Sequence, residues 1–223
     1  MITANILFDK NGVALTPNRV VFLIKGFGDS YLIATRDIIR DSQVLDKEGT
    51  KFIKCASRIL SNFGMTRRGI FHDKLMETLI NCWQTIGPNL LYINSSILKG
   101  GVSRARILLD ISDNEREALI SEIWSMTKAL LPLTMSKSSY GLVGASKILF
   151  SVLPEIVLPV DNNQWSQLFR TVDLGDVIRF MAKDIQNWEA KTNQHLNDLD
   201  PSRRLSTLPA IYNVLAMAAR PLG

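Results

Sequence analysis

Gly141-Leu142-Val143-Gly144-Ala145-Ser146-Lys147-Ile148-Leu149-Phe150-Ser151-Val152-Leu153 runs into Pro154-Glu155-Ile156-Val157-Leu158-Pro159-Val160-Asp161 and, four residues on, Trp165. The stretch opens on a glycine-punctuated turn and continues as a short apolar helix carrying one lysine. Glycine admits tight turns and close backbone approach. Pro154 and Pro159 turn the residues before them away from helix, so an extended connection delivers Asp161 to the start of the next helix. That aspartate is placed to cap a helix beginning at Asn162 and passing through Trp165 and Phe169. An amine and a carboxylate on two short helices around a turn make a candidate active site, or a solvated lysine and a helix cap.

Outward from this centre the pattern is helical over most of the chain. Phe52, Cys55, Ile59 and Leu60 form an apolar stripe ending at Gly64. The spacing predicts a helix over 70–83 through Leu75, Leu79 and Cys82, stopping at Gly87-Pro88, and another over 90–98 before Gly100-Gly101. Ser112-Asp113-Asn114-Glu115 is a capping-box sequence opening a helix with Leu119, Ile120, Ile123, Trp124 and Met126 that stops near Pro132. Asp173 opens an amphipathic segment through Val177, Phe180, Met181, Ile185 and Trp188, and a final helix is expected over 208–219.

The first fifty residues read differently. Asn5-Ile6-Leu7-Phe8 leads into Asp9-Lys10-Asn11-Gly12, a strong turn signal, and Val20-Val21-Phe22-Leu23-Ile24 is a β-branched run with a second one expected over 31–34. Lys25-Gly26-Phe27-Gly28-Asp29 lacks the third glycine of a dinucleotide fingerprint and the ending of a P-loop, so it reads as a turn. The expectation is a mainly α protein: a strand-containing N-terminal element over 1–50 and a helical bundle over 51–223, with a helix-hairpin-helix-like motif at its functional centre.

With 223 residues, 46% of them hydrophobic, the chain can bury a sizeable core. A net charge of +5 and a pI near 9.3 lean toward a polyanionic partner. Small basic spots lie at Arg67-Arg68, at Arg104 with Arg106, and at Arg203-Arg204. Cys55, Cys82, His72 and His195 are scattered without metal-ligand spacing, so no metal or other cofactor is expected, and the cysteines read as small buried apolar residues. The absence of a signal-like N-terminus or a span of ~20 apolar residues points to a cytoplasmic protein without membrane association.

The chemistry returns to the central stretch. Outward-facing backbone amides at Gly141 and Gly144, with Ser146, are suited to a DNA phosphate. A lysine whose pKa is lowered can attack a sugar C1′, and a carboxylate beside it can stabilise the developing cation or activate a water. Gly144-x-x-Lys147 followed by Leu158-Pro159-Val160-Asp161 and Trp165 resembles the helix-hairpin-helix DNA glycosylase superfamily over residues 140–165, its Pro159-Val160-Asp161…Trp165 spelling being similar to the oxoguanine-type branch. The glycine-to-lysine gap is one residue longer and the Lys147-to-Asp161 connection several residues shorter than that family's. The resemblance implies that Lys147 is a Schiff-base nucleophile, Asp161 its assisting carboxylate, Trp165 a base-stacking candidate and DNA the partner. Two other readings stand beside it. Asp161 with Glu189-Ala190-Lys191 spells the carboxylate–carboxylate–lysine set of a metal-dependent nuclease of restriction type. The same hairpin also suits a non-enzymatic helical module binding DNA or protein.

Overall fold

A computed structural model of the protein describes residues 5–26, 45–67, 69–96, 106–135, 141–200 and 207–219. The strand expected over 31–34, the turn at Gly28, Gly100-Gly101, Tyr140 and the basic residues Arg68, Arg104, Arg203 and Arg204 lie outside these. In chain order the helices are α1 (Pro17–Lys25), α2 (Thr50–Asn62), α3 (Ile70–Asp73), α4 (Leu75–Ser96), α5 (Ile107–Asp110), α6 (Asp113–Thr134), α7 (Leu142–Phe150), α8 (Leu174–Thr192) and α9 (Leu208–Ala218). A π-helical turn, Gln164–Phe169, precedes α8. The mainly α expectation holds. Among the described residues no helix is long and apolar enough to cross a membrane.

α6 is the spine, packing against α4, α7 and α8, while α2 lies across α4 and α7. Its start is the expected capping box: Ser112 Oγ accepts from the Glu115 amide and Glu115 returns to the Ser112 N–H. Arg116, nearly buried, donates from Nε to the Leu108 carbonyl at 2.5 Å and from Nη2 to the Ile111 carbonyl at 3.1 Å, satisfying the C-terminal carbonyls of α5.

Two proline breaks expected from sequence are run through. α4 continues past Gly87-Pro88 because Leu79, Cys82, Ile86, Leu90 and Ile93 keep one buried stripe at helical spacing. That burial outweighs the single hydrogen bond Pro88 forfeits. Gly87 makes room rather than a stop: a Cβ there would sit 2.9 Å from the Trp83 ring, and one at Gly49 only 2.4 Å from the Trp83 indole nitrogen. α6 likewise passes Pro132 to reach buried Thr134.

The N-terminal segment also departs from expectation. Phe8 and Ala14 form an isolated antiparallel bridge around the Asp9–Gly12 turn, but the described residues contain no longer strand. Val20–Ile24, expected as a strand, is helical. Thr16 caps the helix by accepting from the Arg19 amide, Pro17 follows at the first helical position, and Val20 and Ile24 are buried one turn apart. A cap with i, i+4 burial outweighs β-branched propensity.

The N-terminal hairpin around the Phe8–Ala14 bridge is held down by α8. Asp184 Oδ2 accepts from the Ile6 amide (3.0 Å), the Leu7 amide (3.2 Å) and the Tyr212 hydroxyl of α9 (2.9 Å). Trp188, fully buried, donates to the Leu15 carbonyl at 2.7 Å. Ile6, Leu7, Val20 and Ile24 thereby join the same hydrophobic core as the later helices.

Candidate functional site

The glycine turn opens α7, but neither glycine meets solvent. Gly141, at φ +80°, is buried against the end of α6, where an added Cβ would lie 2.6 Å from the Leu131 carbonyl and 2.8 Å from Thr134 Oγ1. Gly144 is pressed against the Phe71 ring and Thr134. Ser146 is fully buried and donates to the Val143 carbonyl. In place of a solvent-facing phosphate turn, the missing side chains let α7 close against α6 and α3. Gly141→Ala adds a left-handed strain of about 1–2 kcal/mol to a backbone clash. The expected result is a loss of about 2–4 kcal/mol in urea unfolding, and a neutral outcome would mean that the turn relaxes freely.

Lys147 belongs to the next turn of α7 and is itself buried, 6% exposed. Its Nζ lies 4.8 Å from the centroid of the Phe63 ring at the C-terminal cap of α2, a cation–π geometry. Burial pulls the amine down to about 8 from the usual 10.5, and the nearby Asp161 charge partly resists this. Of the expected pair, then, the structure brings the amine and carboxylate into electrostatic reach.

Asp161 is also the cap that its sequence position predicts. Its Oδ1 accepts from the Gln164 amide at 2.7 Å, and Gln164 Oε1 accepts from the Asp161 N–H at 2.7 Å, a reciprocal box opening the turn that carries Trp165 and Phe169. Gln164 Nε2 donates to Asn213 Oδ1 of α9 at 2.6 Å, so the carboxylate is braced from the C-terminal helix. Trp165 is partly exposed and its indole donates to Asn162 Oδ1 at 3.2 Å. Trp188 by contrast lies in the core, and His72 lies on the surface beside Asp73.

Sequence reading missed Phe63, Gln164 and Asn213. The first looks like ordinary helix-end hydrophobicity. Gln164 had a usable signal, being the third residue after a capping aspartate, and Asn213 stands out only as a polar residue inside the apolar α9.

The nuclease arrangement finds its residues engaged elsewhere. Both Glu189 oxygens accept from Arg106 (3.0 and 2.8 Å), and Oε1 also accepts from the Leu196 amide. Lys191 Nζ lies 5.0 Å from the Phe8 ring centroid. Cys55 and Cys82 are buried, and burial pushes the Cys82 thiol up to about 12. Among the described residues no group of three or more His, Cys, Asp or Glu is placed to hold a metal ion.

No family model matches this chain, and neither the curated proteins nor the solved structures compared with it include a match.

Proposed function

We propose that this is a DNA-binding protein with glycosylase-like base excision carried by Lys147 and assisted by Asp161. The observation that carries the reading is the buried Lys147 amine, brought down to about 8 and held in the field of Asp161. Most lysines are solvated and protonated at neutral pH and cannot act as nucleophiles. Burial gives this one a substantial neutral fraction near pH 8, which is what attack on carbon needs.

In the proposed step the neutral Nζ attacks C1′ of a nucleotide turned out of the helix. The C1′–N bond breaks, and the base leaves with the electron pair and takes up a proton. The Asp161 carboxylate stabilises the positive charge developing on the sugar. The nitrogen then loses a proton, its lone pair forms the C1′=N bond as O4′ departs with the C1′–O4′ electron pair and takes up that proton, and the resulting Schiff base is reduced by borohydride to a stable amine. Trp165, on the turn capped by Asp161, offers a partly exposed aromatic face to a neighbouring base.

Borohydride trapping on a panel of lesion-bearing and abasic duplexes tests this directly, with Lys147→Gln beside the wild type. A covalent band lost in the variant is the expected result. Its yield at fixed time should rise with pH through about 8, following deprotonation of the amine. If no band forms on any duplex while the DNA is still retarded on a gel, the lysine chemistry is wrong and the protein is a binder.

A further inference from the structure

The inward-turned glycines leave the nucleic acid without the backbone grip expected at 141–146, and the exposed face of α2 supplies another. The helix Thr50–Asn62 reads TKFIKCASRILSN and contains three cations and no acid. Its buried residues Phe52, Cys55, Ala56, Ile59 and Leu60 occupy one side. Lys51, Lys54 and Arg58 recur at spacings of three and four on the opposite side, with Lys51 and Lys54 exposed and Arg58 partly so. Ser61 and Asn62 extend that face as exposed polar residues. Beyond the helix, exposed Arg67 closes a short 3-10 turn. The helix ends at Phe63, whose ring lies over the Lys147 amine.

We infer that this cationic face of α2 is the track for a nucleic-acid phosphate backbone, leading one strand along the helix to its Phe63 end, where Lys147 lies. The inference rests on the reading of Lys147 as acting on nucleic acid and names the surface that reading requires. At 1.5 Å per residue, Lys51 to Arg58 spans about 10 Å of helix axis. One strand of a duplex carries a charge about every 3.4 Å along its axis, so the stretch from Lys51 to Arg58 passes about three to four phosphates, at least one for each cation.

The shape of the surface separates this partner from a lipid headgroup layer. A membrane-binding helix sets its cations around an apolar face that enters the lipid. Here the apolar face of α2 is already spent on α4 and α7, the residues flanking the cations are Thr50, Ser61 and Asn62, and the Asp46 carboxylate at the helix start is engaged by the Thr50 and Lys51 amides. A single file of charge with polar flanks suits a linear polyanion.

The test is the salt dependence of binding to a fluorescent abasic-site duplex, measured by anisotropy for the full chain. The variants are Lys51→Gln/Lys54→Gln/Arg58→Gln and a charge-matched control, Lys10→Gln/Lys128→Gln/Lys183→Gln, on the N-terminal turn, α6 and α8. Circular dichroism of each confirms folding. The track predicts that the α2 variant lowers the slope of log K against log salt by about 2–3 while the control changes it little. Equal losses in both triples would mean diffuse charge and would overturn the track, as would an unchanged slope in the α2 variant. Wild-type binding to phosphatidylserine vesicles as tight as to the duplex would assign the face to membranes instead. The borohydride arm separates the two proposals. No trapped adduct with the α2 slope effect intact leaves the track standing on a non-enzymatic binder. A trapped adduct with no α2 effect removes the track and keeps the chemistry.

Discussion

Lys147→Met is expected to make the protein more stable at pH 7, by about 2 kcal/mol, while abolishing any covalent chemistry. The unfolded chain holds the lysine proton up to 10.5 and the folded chain releases it at about 8, so below pH 8 folding carries a buried charge that costs about 3 kcal/mol. The Phe63 ring returns part of that cost through a cation–π contact of about 0.5–1 kcal/mol. Methionine fills similar volume without a charge. The sign is checkable: a lysine with a lowered folded value makes wild-type stability rise as pH climbs from about 8 to 10.5. The advantage of the methionine variant should therefore be fullest below pH 8, fade between about 8 and 10.5, and be gone above 10.5. Urea unfolding across that range measures it. A methionine variant less stable than wild type at pH 7 would show that the amine is a structural cation whose partners outweigh its desolvation, and would weaken the nucleophile reading.

The second large effect is at Asp184. In Asp184→Ala the Ile6 and Leu7 amides and the Tyr212 hydroxyl lose their acceptor inside the core, each orphaned donor costing about 1–3 kcal/mol. A loss of about 3–5 kcal/mol is expected, with hydrogen exchange of Ile6 and Leu7 amides accelerating most. Asp184→Asn separates geometry from charge. Burial raises the Asp184 carboxyl above its usual 3.8 against the pull of its three donors, and its Oδ1 has no hydrogen-bond partner. A raised acid is favoured in its protonated form by the fold, so its contribution is full below about 3.8 and declines as pH rises through the folded value. Asparagine retains an acceptor and should remove that decline, leaving a protein within about 1 kcal/mol of wild type at neutral pH. An alanine variant as stable as wild type would mean that water replaces the lost acceptor and that the hairpin is not held by this residue.

These effects arise where sequence reading was strongest and weakest. Asp161 was legible because its role is local: a capping aspartate three residues before Gln164, after a proline-bounded extension. The Ser112–Glu115 box is legible for the same reason, as is the start of α8 at Asp173, whose Oδ1 accepts from the Asp176 amide. Pro88 and Pro132 look like breaks to a local rule, but burial on both sides of each proline decides, and that is not a local property. Val20–Ile24 looks like a strand by β-branching alone, whereas the Thr16-Pro17 start signal just before it makes the segment helical. The glycines at 141 and 144 are the instructive case. Their identity says that a side chain is excluded, but the excluding neighbours, Leu131, Thr134 and Phe71, are known only once the helices are packed. Lys147 and Asp161 stand out through the glycine and proline punctuation around them and the family resemblance of the stretch. That the amine is buried beneath Phe63, and so shifted, depends on α2 crossing α7, which no pattern within 140–165 contains.

The Asp184 latch also sets an order of events during synthesis. Its amide partner at Ile6 precedes the carboxylate by 178 residues. At about 5–20 residues per second, roughly 10–35 s pass between the emergence of one and the other. Through that interval Ile6, Leu7 and the apolar side of α1 lack the cover that α8 and α9 later give them.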